Sequence, residues 1–173
     1  MLHDILRRFF ETHRRQPLEQ FDRAVLQKEL RQLADAVFKE HEDVVPALNK
    51  QIWKIDQEIR KILLDQVLLY ELEMQSKASA QAVLPAYFEV AFGLQSGAVK
   101  DPDSKMEPLE LTRSTFVGPE TIKVSGQIDR VDIGADQTLI AYDYKLSTGS
   151  TMIDMEAGRS LQLPIYIEAL EKL

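Results

Sequence analysis

The chain has 173 residues, 45% of them hydrophobic, which suits one domain with a sizeable core and room for a helical extension. It contains no cysteine, which excludes disulfides, thiolate zinc sites, iron–sulfur clusters and a cysteine nucleophile. A formal net charge of -7 argues against a non-specific nucleic-acid binder with a basic footprint, yet not against an enzyme that gathers carboxylates around a divalent cation. No apolar run is long enough to span a membrane, and MLHDILRRFFETHRR lacks the apolar stretch and small-residue cleavage site of a signal peptide. With the absence of cysteine, this leads us to expect a cytoplasmic protein.

Residues 1–80 have helical periodicity and no glycine. Leu2, Ile5, Leu6, Phe9 and Phe10 form the first stripe, which Pro17 closes. Arg7, Arg8, Arg14 and Arg15 crowd this segment, either as a solvated face or as a phosphate-binding patch. A second pattern uses Phe21, Val25, Leu30, Leu33, Val37 and Phe38. A third opens near Pro46 and runs through Ile52, Ile55, Ile59, Ile62, Leu63, Gln66 and Leu69 into MQSKASAQ. That helix would be about 30 residues long, well above the usual length, and would lie across the domain or bind a partner. Trp53 and its stripe read as core.

The texture changes to strands at Val83. VLPAYFEVAFGL is rich in aromatic and β-branched residues, and SGAVKDPDSK has turn chemistry. EPLELTR and STFVG are short extended pieces. ETIKVSGQIDRVDIG and QTLIAYDYK read as two strands around GADQ, and LSTGSTM as a loop. DMEAGRSLQLPIYIEALEKL returns to helical spacing, with Leu161, Ile165 and Ala169 on one face. The pattern predicts an N-terminal helical region, residues 1–80, packed on a core of residues 81–173. The class is α/β (α+β), with a mixed central sheet flanked by helices.

Asp and Lys are depleted from strand interiors, so Asp129, Asp143 and Lys145 call for a reason. If the turn centres on Asp136, Asp129 falls opposite Asp143, Val131 opposite Ala141, Ile133 opposite Leu139 and Gln127 opposite Lys145. All eight share one face, because strand side chains alternate with a period of two. Ile128, Arg130, Tyr142 and Tyr144 occupy the other. Two carboxylates roughly 5 Å apart repel each other unless a cation sits near them. Two carboxylate ligands suit a hard ion such as Mg²⁺ or Mn²⁺, and a lysine two residues beyond points into the same space. Such a set is equipped to hydrolyse a phosphodiester. The competing reading is a surface Asp129–Arg130 ion pair beside a solvated strand edge.

GQIDRVD, then YDYK, then LQLPIY resembles the PD-(D/E)XK nuclease superfamily in its RecB-like branch, and is similar to the C-terminal nuclease domains of the AddB and RexB helicase–nuclease subunits. The resemblance implies a restriction-endonuclease-like fold and a metal-dependent DNA nuclease. Asp129 matches the metal-binding Asp of G-x-x-D-R. Asp143 and Lys145 match the acidic residue and catalytic lysine of D/E-x-K. The Tyr144 carbonyl matches a backbone ligand, and Gln162 and Tyr166 match Q-x-x-x-Y. The family's N-terminal metal histidine matches His3, and Glu89 in YFEVAFG resembles an acidic strand position before the core motif. The implied substrate is DNA, single-stranded and fed by a helicase, during recombinational repair. AddB-like domains usually carry an iron–sulfur cluster, and this chain has no cysteine to hold one. Nor does it contain a P-loop, so no ATP motor is expected within it. Starting two residues before the expected histidine and stopping just after the Gln–Tyr helix, it reads as an excised piece or a reduced homologue. The alternative of another class is a catalytically inactive nuclease fold used for DNA binding or scaffolding.

Overall fold

The structure, a computed structural model, describes residues 1–78, 83–94, 101–145 and 151–172. Parts of three expected stretches, namely the end of MQSKASAQ, the start of SGAVKDPDSK and most of LSTGSTM, lie outside the described residues. The chain forms two compact units. One comprises Met1–Ala86 with Ile133–Thr138, and the other Tyr87–Asp132 with Leu139–Leu173.

The first unit is helical: α1 (Leu2–Thr12), a 3₁₀ turn (Leu18–Gln20), α2 (Arg23–Val44) and α3 (Lys50–Ala78). Asp22 starts α2 by accepting the Ala24 and Val25 N–H groups at 2.8 and 3.2 Å, satisfying two donors that have no partner inside the helix. Ile5, Leu6, Phe9 and Phe10 of α1 are buried, as are Leu26, Leu30, Ala34, Val37 and Phe38 of α2. Of the clustered arginines, Arg7 and Arg8 lie on α1 and are held by carboxylates. Arg7 pairs with Asp4 and Glu11, and Arg8 with Asp4 and Glu40, at 2.6–2.9 Å.

Helix α3 corrects the expected core. Its buried residues include Leu64 and Leu68, with Asp65 locked to Arg31 at 2.5 Å. Ile52, Ile55, Ile59, Ile62 and Leu63 remain exposed, and Trp53 is half-buried, edge-on to Phe38 and bonded to Glu42. The periodicity correctly marked a helix. However, the face that packs, with Leu64 and Leu68, is rotated from the isoleucine stripe, and ion pairs such as Lys61–Asp35 (2.6 Å) and Arg31–Asp65 join α3 to α2.

The second unit is built on strands. A three-stranded sheet has the order β1 (Leu84–Phe92), β4 (Gly126–Ile133), β5 (Leu139–Tyr142), and a separate ribbon pairs β2 (Leu109–Thr115) with β3 (Gly118–Val124). The first residues of β1 belong to the helical unit. Among the described residues the fold is mixed α+β with two antiparallel sheets and five helices, α4 (Met152–Glu156) and α5 (Gln162–Leu170) completing the set.

ETIKVSGQIDRVDIG is not one strand but two, broken at Ser125. Ser125 Oγ donates to the Gly93 carbonyl at 3.1 Å, and Gly93 sits at φ +69°, where a side chain is disfavoured. Next to it, a Cβ on Gly126 would lie 2.7 Å from the buried Phe92 ring, so only glycine lets β4 begin there. DMEAGRSLQLPIYIEALEKL is likewise two helices. Thr151 and Asp154 form a capping box on α4, and Gly158 at φ +67° ends it before α5 begins. Leu161, expected on the packed face, is 56% exposed, because it precedes α5 rather than lying within it.

The edge of β1 is covered by residues 101–105. Lys105 N–H donates to the Ala91 carbonyl and Gly93 N–H to the Lys105 carbonyl, at 2.9 and 3.1 Å, while the buried Asp101 carboxylate accepts Phe88 N–H at 3.1 Å. Val90, Phe92, Leu109, Ile128, Val131, Tyr166 and Ala169 form the core of this unit, so α5 is packed directly beneath β4. No described helix is long and apolar enough to cross a membrane.

Candidate active site

Gly134 N–H donates to the Thr138 carbonyl at 2.8 Å, which centres the β4–β5 turn on Asp136. Carried along two antiparallel strands, that register sets residue 129 against residue 143. The opposite face supports it. Arg130 Nη1 donates to the Tyr144 hydroxyl at 3.1 Å, and its guanidinium lies 4.6 Å from the centre of the Tyr142 ring. Arg130, Tyr142 and Tyr144 therefore share one side, and the alternation turns Asp129, Asp143 and Lys145 to the other.

On that side a chain of hydrogen bonds links the sheet to α5. Lys145 Nζ stands 2.8 Å from Asp143 Oδ2 and donates to Gln162 Oε1 at 2.8 Å. Gln162 Nε2 donates to Asp143 Oδ1 and to the Tyr166 hydroxyl, each at 2.8 Å. The Tyr166 hydroxyl in turn donates to the Gln127 carbonyl at 2.7 Å. Gln162 and Tyr166 are four residues apart, one helical turn, so both face β4 from one side of α5. Asp129 reaches the same region differently: its carboxylate accepts the Tyr144 N–H at 2.8 Å.

The charges follow from these contacts. The hydrogen bond to Asp143 holds the Lys145 ammonium above its ordinary pKa, so the lysine is a cation at neutral pH. Burial, reinforced by the nearby negative charges of Asp143 and Asp129, lifts the Tyr166 phenol above 10 against the opposing pull of Gln162 and Lys145. Tyr166 therefore remains a neutral donor. The Asp143 side chain is only 11% exposed while that of Lys145 is 37% exposed, so the carboxylate is walled in and the ammonium faces solvent.

Glu89 stands at φ +54° inside β1, a left-handed conformation that costs a non-glycine residue about 1–3 kcal/mol. Its carbonyl accepts Asp101 N–H and Gln127 Nε2 at 3.3 and 3.4 Å. Through that carbonyl Glu89 meets Gln127, the residue whose own carbonyl holds Tyr166. His3 is exposed on α1 in the helical unit. Among the described residues no three His, Cys, Asp or Glu side chains gather as a metal cluster. What the structure does assemble from the expected set is Asp129, Asp143, Lys145, Gln162 and Tyr166. The chemistry of the donors fits a hard divalent ion: two carboxylates with the Tyr144 peptide between them, and one carboxylate already holding an ammonium at 2.8 Å.

The competing reading joined Arg130 to Asp129 in a surface ion pair. The structure pairs it with Asp132 instead, Nε and Nη2 each 2.6 Å from a carboxylate oxygen, both side chains within 2% of full burial. Spacing held the signal. Residues two apart on a strand point the same way, whereas Asp129 is adjacent to Arg130 and points the opposite way.

A family description of the PD-(D/E)XK nuclease superfamily matches residues 1–173. The chain belongs to the PD-(D/E)XK nuclease superfamily. Members of this superfamily generally use divalent metals such as Mg²⁺. The chain is also 36% identical over 90 residues to proteins named as a subunit of an ATP-dependent helicase/deoxyribonuclease, from two strains of Lactobacillus delbrueckii subsp. bulgaricus. The match covers 50% of this chain and 7% of each relative, so the chain spans a small part of their length. No solved structure matches the chain.

Proposed function

We propose that this chain is a metal-dependent deoxyribonuclease acting on single-stranded DNA, as a nuclease module working with a helicase in recombinational repair. The observation that carries the reading is the closed set Asp143–Lys145–Gln162–Tyr166, fastened to β4 at Gln127, with Asp129 bonded to the peptide between Asp143 and Lys145. The names of the relatives, which join a helicase to a deoxyribonuclease, favour DNA as substrate and a helicase as partner.

Asp129, Asp143 and the Tyr144 carbonyl would hold Mg²⁺ or Mn²⁺, with His3 as a further ligand. When bound, the ion makes water a stronger acid and stabilises negative charge on a phosphate oxygen. The protein's own groups do the rest. Lys145, protonated at neutral pH, serves as a cation rather than a base: it orients the attacking water and offsets charge gathering on the phosphate. Gln162 accepts from Lys145 and donates to Asp143, which fixes the distance between ammonium and carboxylate. Tyr166 anchors Gln162 to the sheet.

The test is cleavage of labelled single-stranded DNA with and without Mn²⁺, by the wild type and by Lys145→Ala. We expect metal-dependent cutting that the substitution abolishes. Cutting in the absence of metal, or a fully active variant, overturns the scheme.

A further inference from the structure

We propose that Arg130 is a positioning residue, which acts through Tyr144 from the far face of the sheet to fix the D-x-K segment; this rests on the nuclease reading above. Strand β5 ends at Tyr142, so Asp143, Tyr144 and Lys145 lie beyond its last ladder residue. Something other than strand pairing must hold them. Tyr144 is tied at two points: its N–H to Asp129 at 2.8 Å, and its hydroxyl to Arg130 at 3.1 Å. The same guanidinium lies against the Tyr142 ring, so it grips the residues on both sides of Asp143.

Arg130 is itself held and buried. Two of its nitrogens bind Asp132 in a bidentate fork at 2.6 Å, and its side chain is 1% exposed. A buried ion pair of this kind is seldom the most stable filling for a core, since apolar residues of like volume often do as well. What the pair supplies is a rigid, directional plate. With Tyr142 and Tyr144 held on the Arg130 face, Asp143 and Lys145 are free to meet each other and Gln162. Asp129 accepts the Tyr144 N–H from the neighbouring strand and so holds the peptide that joins residues 143 and 144. Arg130 touches neither substrate nor metal in this scheme; it sets the direction of the groups that do.

Two variants test this. Tyr144→Phe removes only the hydroxyl, and Arg130→Met with Asp132→Leu removes the plate without stranding a charge. Mn²⁺ affinity is read directly by electron paramagnetic resonance of the free ion, together with the Mn²⁺ concentration for half-maximal cleavage and the metal-free melting temperature. Loss of an outer partner of a metal ligand typically weakens binding 10- to 100-fold. We expect about a 10-fold weaker Mn²⁺ affinity for Tyr144→Phe, with its metal-free melting temperature lowered by about 3 °C at most. The double variant should show at least the same loss of affinity. Wild-type Mn²⁺ affinity in both variants overturns the positioning role while leaving the nuclease reading intact. A wild type that takes up no Mn²⁺ overturns both.

Discussion

Tyr166→Phe deletes one oxygen and nothing else, so its cost can be worked out from the structure. The ring is 7% exposed and meets Phe92 edge-on at 6.5 Å, contacts that phenylalanine keeps. The oxygen donates to the Gln127 carbonyl at 2.7 Å and accepts from Gln162 Nε2 at 2.8 Å. A typical hydrogen bond contributes about 1 kcal/mol net, and stranding a part-buried acceptor costs about 1–3 kcal/mol. The Gln162 amide retains Asp143, so the second bond is partly recovered. The expected loss is then about 1–2 kcal/mol, which corresponds to about 3–6 °C for a chain of this size. Cleavage should fall about 10-fold at fixed Mn²⁺, because Gln162 loses its anchor to the sheet while holding both Lys145 and Asp143. Differential scanning calorimetry and a single-turnover cleavage assay measure the two effects separately. A variant that melts like the wild type shows that these bonds are absent. One that is destabilised but cleaves at the full rate shows that Tyr166 is only packing, and refutes its link to the lysine.

Two further outcomes follow from the charges. Asp132→Ala should destabilise by about 3–5 kcal/mol in urea denaturation because it removes the carboxylate that the buried Arg130 binds in a bidentate fork, whereas Arg130→Met with Asp132→Leu should be near neutral; equal costs for both would refute this account. In the helical unit, bonds to Arg7 and Arg8, outweighing a burial that acts the other way, depress the Asp4 carboxyl, and the bond to Arg8 depresses Glu40. Their stabilisation is therefore present above the ordinary values of 3.8 and 4.5 and disappears as pH falls through the lower folded values. Arg8→Gln should lower stability at pH 7 and leave it unchanged near pH 2 by circular dichroism; a pH-independent difference rules out the ion pairs as its cause.

The hairpin was legible because two rules coincide there. A period of two puts Asp129, Asp143 and Lys145 on one face, and GADQ is turn chemistry that centres the register. Q-x-x-x-Y was legible only through the family resemblance, since one helical turn between Gln162 and Tyr166 fits ordinary packing as well. What the sequence concealed has specific causes. The break at Ser125 depends on Gly126 approaching the Phe92 ring, a long-range contact that no local propensity encodes. The orientation of α3 was misread because its isoleucine stripe is more hydrophobic than the face that packs, where Asp65 and Gln75 are buried by virtue of their partners Arg31 and Leu18. The left-handed turn at Glu89 leaves no trace in VLPAYFEVAFGL, since nothing about a glutamate announces a positive φ.

The arrangement would also let one carboxylate serve two cations. Asp143 presents Oδ2 to Lys145 and Oδ1 to Gln162. A divalent ion drawn to Asp129 and Asp143 would contest the oxygen that the ammonium now occupies. Lys145 has a second acceptor in Gln162 Oε1, so it can yield Asp143 to the ion without losing all its hydrogen bonds. Gln162 is a neutral amide, able to accept from the lysine and donate to the aspartate at once; a carboxylate at that position would add a third negative charge, and an ammonium would repel both the lysine and the ion. The need for a donor and an acceptor on one uncharged side chain, one helical turn from a tyrosine that reaches β4, accounts physically for the pairing of Gln162 with Tyr166. It also explains why D-x-K alone carries so little meaning: without the helix that holds Lys145 beside Asp143, the same three residues would be a solvated end of a strand.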